Sequence, residues 1–154
     1  MKKLILAVLL IMLSAQVSFA AGSCTQRTSA YVNGATVLQI ACTGDASDGS
    51  IPAIQIDMSN IGAGTQYLYL ISAYPTAGGT APDAADVTVT MGGIDLLGGK
   101  GVNLIHATTR QDTFPYSAFM TSYRFPVVSG QITVAVANQA TVSANYTIEL
   151  VFVR

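Results

Sequence analysis

The chain has 154 residues, of which 51% are hydrophobic and only 10% charged, with one histidine, two cysteines and no tryptophan. A single histidine excludes an imidazole cluster of the kind that builds catalytic zinc or copper sites. No run of lysine or arginine supplies an electrostatic footprint for a nucleic-acid backbone, which argues against nucleic-acid partners.

The chain opens with Met1, Lys2 and Lys3, continues with an apolar stretch from Leu4 to Leu13, and then runs through small residues from Ser14 to Ala20. That order of charged, hydrophobic and small-residue regions predicts a secretory signal peptide over 1–20, cleaved after Ala20, with Ser18 and Ala20 supplying the small side chains. The apolar stretch is far shorter than the ~20 residues that span a bilayer, so stable membrane insertion after cleavage is not expected. Residues 21–154 then form one domain, long enough to bury a core. It carries five cations (Arg27, Lys100, Arg110, Arg124, Arg154) against eight carboxylates, a net charge of −3. The expected location is secreted, periplasmic or at the cell surface.

Two-residue alternation recurs along this domain and helical periodicity is nearly absent. Thr25 to Cys42 is a candidate hairpin turning at Asn33-Gly34, a pair that accepts the positive φ angles of a tight turn. A polar loop from Thr43 to Ser50 precedes an alternating strand, Ala53 to Met58, with Ile54, Ile56 and Met58 on one face. Gln66 to Tyr74 is apolar on both faces, Tyr67, Tyr69 and Ile71 opposing Leu68, Leu70 and Tyr74, as in a central strand. Pro75 to Asp83 reads as a connection, Asp86 to Met91 as a strand, and Gly92 to Gly101 as turns around Ile94 to Leu97. Val102 to Tyr123 is read as loop. Gln131 to Ala137 and Tyr146 to Val153 are strands with Ile132, Val134, Val136 and Ile148, Leu150, Phe152 inward. The fold class expected is all-β, an antiparallel two-sheet sandwich or jelly roll of about seven to eight strands.

Folding the first hairpin at Asn33-Gly34 brings Cys24 and Cys42 opposite each other, so an exported chain is expected to form a Cys24–Cys42 disulfide. Closing so short a loop contributes about 3 kcal/mol by the chain-entropy model. The alternatives are two buried free thiols, or a lipid on Cys24 after the small residues Ala21, Gly22 and Ser23, although leucine is missing from the position three before the cysteine.

Catalytic patterns are weak. His106 stands alone and no Gly-x-Ser-x-Gly elbow accompanies it. Asp57, Asp86, Asp95 and Asp112 are the carboxylates available for glycoside hydrolysis, but no spacing selects a pair, and aspartates at turns commonly hold backbone amides. Asp45 and Asp48 with nearby carbonyls are a candidate calcium loop without the EF-hand alternation. The glycines of 92–101 lack P-loop order, and Asn145-Tyr146-Thr147 is a formal glycosylation sequon at the start of a strand. No catalytic residue, cofactor or metal is therefore expected. Tyr67, Tyr69, Tyr74, Phe114, Tyr116, Phe119, Tyr123 and Phe125 form either a sugar-stacking surface or, the favoured reading, packing between sheets.

From about Asp48 onward the motifs follow a recognisable order. Thr80-Ala81-Pro82-Asp83 leads into the strand Asp86 to Thr90, then Gly93-Ile94-Asp95-Leu96-Leu97-Gly98-Gly99 with Gly101 and Asn103. Pro126 and Ser129-Gly130 then precede Ile132 to Ala137, Asn138 and a final strand ending Val151-Phe152-Val153-Arg154. This pattern resembles small structural proteins of tailed phages, and the resemblance implies a β-sandwich virion component without catalytic residues. Such proteins ordinarily lack a signal peptide and a hairpin disulfide, so the fold transfers more readily than the role.

Two functional expectations result. One is an exported, non-enzymatic structural or interaction protein that self-associates or joins another surface or virion protein. The other is a small binding module for a glycan or another surface ligand. Self-association is expected to run through the final strand as an edge, around Glu149, Val151 and Val153, because Glu149 is its one interior charge.

Overall fold

The computed structural model describes residues 21–30, 34–62, 64–117 and 121–154. The expected signal segment, Asn33 of the expected turn and Phe119 lie outside them. The protein is all-β, with twelve strands and no α-helix among the described residues: β1 (Ser23–Ala30), β2 (Thr36–Thr43), β3 (Ile54–Asp57), β4 (Gln66–Pro75), β5 (Asp86–Met91), β6 (Ile94–Asp95), β7 (Gln111–Thr113), β8 (Tyr116–Ser117), β9 (Ser122–Tyr123), β10 (Val127–Val128), β11 (Gln131–Ala137) and β12 (Asn145–Val153). The count exceeds the seven or eight expected because β6 to β10 hold only two or three residues each, too few to show alternation.

All strand pairs are antiparallel. The larger sheet runs β1-β2-β12-β4-β10, with β7 also on β4, and the second runs β3-β11-β5-β6. β8 and β9 form a separate two-stranded hairpin. One hydrophobic cluster draws on both main sheets: Leu38, Ile40, Leu68, Ile71, Ile148, Leu150 and Phe152 from the larger, and Ile54, Ile56, Val87, Val89, Ile132 and Val134 from the smaller. Alternation thus places the aliphatic residues of β3, β5, β11 and β12 as their sequences require.

Three expectations need correction. The final strand is not an edge. β12 pairs with β2 on one side and with β4 on the other; Glu149 and Val151 are paired on both sides and Val153 on the β4 side, so the strand is not a free edge to offer a second copy. Its residues at 148, 150 and 152 are wholly buried aliphatic or aromatic side chains, and a strand so apolar is stabilised most by central placement. One edge of this sheet is β1, which pairs only with β2.

The second correction concerns β4, where simple alternation fails. Leu150 pairs with Ile71 and Phe152 with Leu68, so three β4 intervals face two on β12, with a register shift between Val151 and Phe152. This β-bulge lets Leu68 and Ile71 both enter the core and leaves Tyr69 exposed. The region 102–123, expected as loop, includes β7, β8 and β9 and is anchored by buried Leu104 and Ile105, whose bridge to Ala85 ties it to the core.

The disulfide joins Cys24 to Cys42, which are direct partners across β1 and β2. Gly34, beside the expected turn, has φ of 79°, a conformation that glycine adopts without a Cβ clash.

Candidate functional aromatic face and cleft

The β4 bulge starts the most distinctive surface of the molecule. Tyr69 lies with its ring 5.7 Å from Phe114 in an edge-to-face contact and 5.0 Å from Phe125. Phe114 follows β7, whose Thr113 pairs with Ile71, so it emerges from the strand beside Tyr69. Tyr116 and Tyr123 are direct cross-strand partners in the β8–β9 hairpin, 5.3 Å apart, and Tyr123 reaches Phe114 at 6.3 Å. Five rings therefore form one continuous chain, Tyr116, Tyr123, Phe114, Tyr69 and Phe125. Edge-to-face contacts of this kind fix ring orientation.

Four of these rings face solvent: Tyr69, Phe114, Tyr123 and Phe125 are 38%, 40%, 60% and 49% exposed. The expectation that the aromatic set packs between sheets is thus overturned for these four. Tyr67 and Tyr74 are half-buried on β4.

A cleft of about 320 Å³ opens beside the chain, lined by residues including Ile94, Asp95, Tyr116, Ser117, Arg124 and Pro126. One wall is the turn-rich segment after β5, the other the β8–β9 hairpin. Tyr116 N–H donates to the Leu96 carbonyl, which docks the hairpin onto that segment, and Arg124 N–H donates to the Pro115 carbonyl, which closes the hairpin itself. Lys100 Nζ sits 4.9 Å above the Tyr116 ring, a cation–π contact. Asp95 faces inward to its own loop: Leu97 N–H and Gly99 N–H donate to its two oxygens at 2.9 and 2.8 Å. The glycine-rich run is turn geometry, with Gly92, Gly93, Gly98 and Gly99 all at positive φ.

The largest charged cluster lies elsewhere. Arg27, Gln39, Glu149, Ser72 and Asp112 occupy one row across β1, β2, β12, β4 and β7. Glu149 accepts from Gln39 Nε2 at 2.8 Å and from Tyr74 Oη at 2.9 Å, and pairs with Arg110 at 2.8 Å. Arg110 also donates to Asp112 and Ser72 and lies 5.1 Å over the Tyr74 ring. Burial pushes the Glu149 carboxyl up, but the bonds from Gln39 and Tyr74 and the Arg110 charge outweigh it and hold the group below the usual range. Such a group adds stability that is present above its unfolded pKa and is lost as pH falls through the lowered folded value. Glu149→Gln is expected to cost about 1–2 kcal/mol at neutral pH, discounted because Arg110 is half exposed. Thermal melts should show the gap between wild type and variant narrowing as pH drops from about 6 to about 3.

The remaining candidates are occupied by local structure. His106 Nδ1 contacts the Thr108 amide and the Thr109 hydroxyl within its own loop. Asp45 accepts from the Ser47 amide and hydroxyl, and Asp48 from the Ser50 amide, so both brace the 43–50 loop. Hydrogen bonds from Ser47 hold the Asp45 carboxyl below the usual range. Asp57 caps a single 3-10 turn at Ser59, and Asp86 accepts from Asn103 N–H and Asn138 Nδ2. No group of three or more potential metal ligands occurs among the described residues. Asn145 of the sequon is half-buried, its Nδ2 donating to the Ser143 carbonyl and its Oδ1 accepting from Thr43.

Sequence reasoning named the aromatic residues but not their exposure, and it missed Lys100 as a partner of the Tyr116 ring and Arg124 as part of the cleft. The Arg110–Glu149 pair was also missed, since 39 residues of chain separate it and no motif marks it. The chain matches no protein-family model and no curated protein.

Proposed function

We propose that the protein is an exported, non-enzymatic binding module whose two main sheets face each other as a sandwich and carry the aromatic face as a saccharide-binding surface. The observation behind it is the continuous chain of five rings, four of them exposed, ending at a small cleft with a polar rim. Rings held by their neighbours, three of the four contacts being edge to face, each offer the apolar C–H face of a sugar a rigid stacking surface at little entropic cost. The cleft volume lies at the low end of ligand pockets, which suits one sugar ring rather than a protein segment. Nucleobases also stack on such rings, but strand binders pair them with a basic groove that a domain of net charge −3 lacks. The sandwich reading rests on the single hydrophobic cluster shared by both sheets. Export rests on the N-terminal pattern and is consistent with the disulfide. The absence of an enzymatic role is supported by the commitment of the carboxylates to backbone amides and to Arg110.

A glycan array with the mature domain, followed by calorimetry on the strongest ligand, tests the proposal. Tyr123→Ala and Phe125→Ala are each expected to weaken binding by about tenfold while shifting stability by no more than about 0.5 kcal/mol, because both rings are exposed. Binding of no saccharide, or unchanged affinity in both variants, would remove the proposal.

A second reading is self-assembly at the surface, in keeping with the resemblance to virion proteins. Its support is β1, an eight-residue edge strand with no proline and with Arg27 as its only charge. Sedimentation over a wide concentration range decides it: a strictly monomeric wild type eliminates the reading.

A further inference from the structure

The cations of this domain are scarce, and their placement is uneven. Of the five in residues 21–154, two, Lys100 and Arg124, sit at the aromatic cleft. The ion pairs found among the described residues both belong to Arg110, so neither of these two is neutralised by a carboxylate. Arg124 lines the cleft directly, while Lys100 stands over Tyr116, a ring of the same wall. Asp95 is the one acid in the lining, and its oxygens are turned away into the amides of Leu97 and Gly99. The cleft therefore has Arg124 in its lining and Lys100 beside one of its walls, two cations against a single carboxylate already held by backbone amides, in an acidic protein.

We propose that the ligand is an acidic saccharide, its carboxylate held by Arg124 with Lys100 beside it, while the sugar ring packs against the cleft wall that Tyr116 forms. This rests on the saccharide reading above and narrows it. A guanidinium offers a carboxylate two parallel N–H donors, which fixes orientation as well as charge. Lys100 contributes a point charge already held in place by the ring beneath it. A neutral sugar would offer these cations only hydroxyl acceptors, without the charge assistance a carboxylate supplies. Two carbohydrate sources share this chemistry, uronic acids and sialic acids, and they differ in whether the carboxylate lies on a chain of repeating acids or at a single terminal residue.

The test is calorimetric titration of the disulfide-bonded mature domain with four probes: tetragalacturonic acid, its methyl ester, 3′-sialyllactose and lactose. At least one acid is expected to bind about tenfold more tightly than its neutral counterpart. Its affinity is expected to fall as salt is raised, the exposed cations being screened. Tetragalacturonate alone identifies a uronate ligand, sialyllactose alone a sialate. Arg124→Gln is expected to bring the acid to the affinity of the neutral probe, and Lys100→Gln to remove a smaller part. Both side chains are exposed, so the circular dichroism and melting of the variants should match wild type.

If acid and neutral probes bind equally, and Arg124→Gln changes neither while Tyr123→Ala weakens both, the acidic-ligand proposal is overturned and the saccharide reading survives. If no probe binds and an array of wider composition is also blank, both fail together.

Discussion

Gly101→Ala is expected to destabilise the domain by about 3 kcal/mol, one of the largest effects of any small substitution in it. A Cβ at this position would lie 1.8 Å from the Val87 carbonyl oxygen and 3.0 Å from a Leu97 methyl. The backbone itself must move, because the Gly101 carbonyl accepts from Val87 N–H at 2.8 Å and holds the loop against β5. Val87 and Leu97 are fully buried, so relief by side-chain rotation is not available. Chemical denaturation of the variant measures the loss, with Val102→Ala next to it as a control. Val102 is 62% exposed and its truncation should change little. Since this loop continues into the wall of the cleft, Gly101→Ala should also weaken ligand binding, unlike the control.

Cys24→Ala with Cys42→Ala is expected to cost about 3 kcal/mol, or the same in wild type under reduction. The bridge ties the edge strand β1 to β2, and β1 has no other neighbour in the sheet. Beyond the sheet, Gln26 Nε2 donates to the Gln55 carbonyl on β3. Without the disulfide β1 is held by a single ladder, so hydrogen exchange should accelerate in Ser23–Ala30 before it does in β12. Equal acceleration in both strands would mean that the bridge constrains only the unfolded chain.

Strands β3, β5, β11 and β12 were legible in the sequence because their buried apolar side chains fall at every second residue. Ile132 and Val134 on β11, and Ile148, Leu150 and Phe152 on β12, show this period without interruption. The disulfide followed from hairpin symmetry together with the expected export. Strand order was not legible, because an apolar strand with one charge reads the same at an edge as in the middle of a sheet. Glu149 misled for this reason: its charge is compensated by Arg110, Gln39 and Tyr74 from three other segments. The candidate site was half visible. Its residues were named, yet their exposure depends on a bulge at Tyr69 and on a two-residue hairpin pairing Tyr116 with Tyr123, features that leave no period behind. Lys100 reaches the Tyr116 ring, and Arg124 the cleft, only through tertiary docking of that hairpin.

The central claim is that the aromatic face binds saccharide, and two-dimensional NMR of the mature, disulfide-bonded domain during titration with an array-identified oligosaccharide tests it most directly. Saturable shift changes are expected at Tyr69, Phe114, Tyr116, Tyr123, Arg124 and Phe125, with β1 and the 43–50 loop unmoved. Shifts confined to β1, or none at any of these rings when binding is saturated, would contradict it.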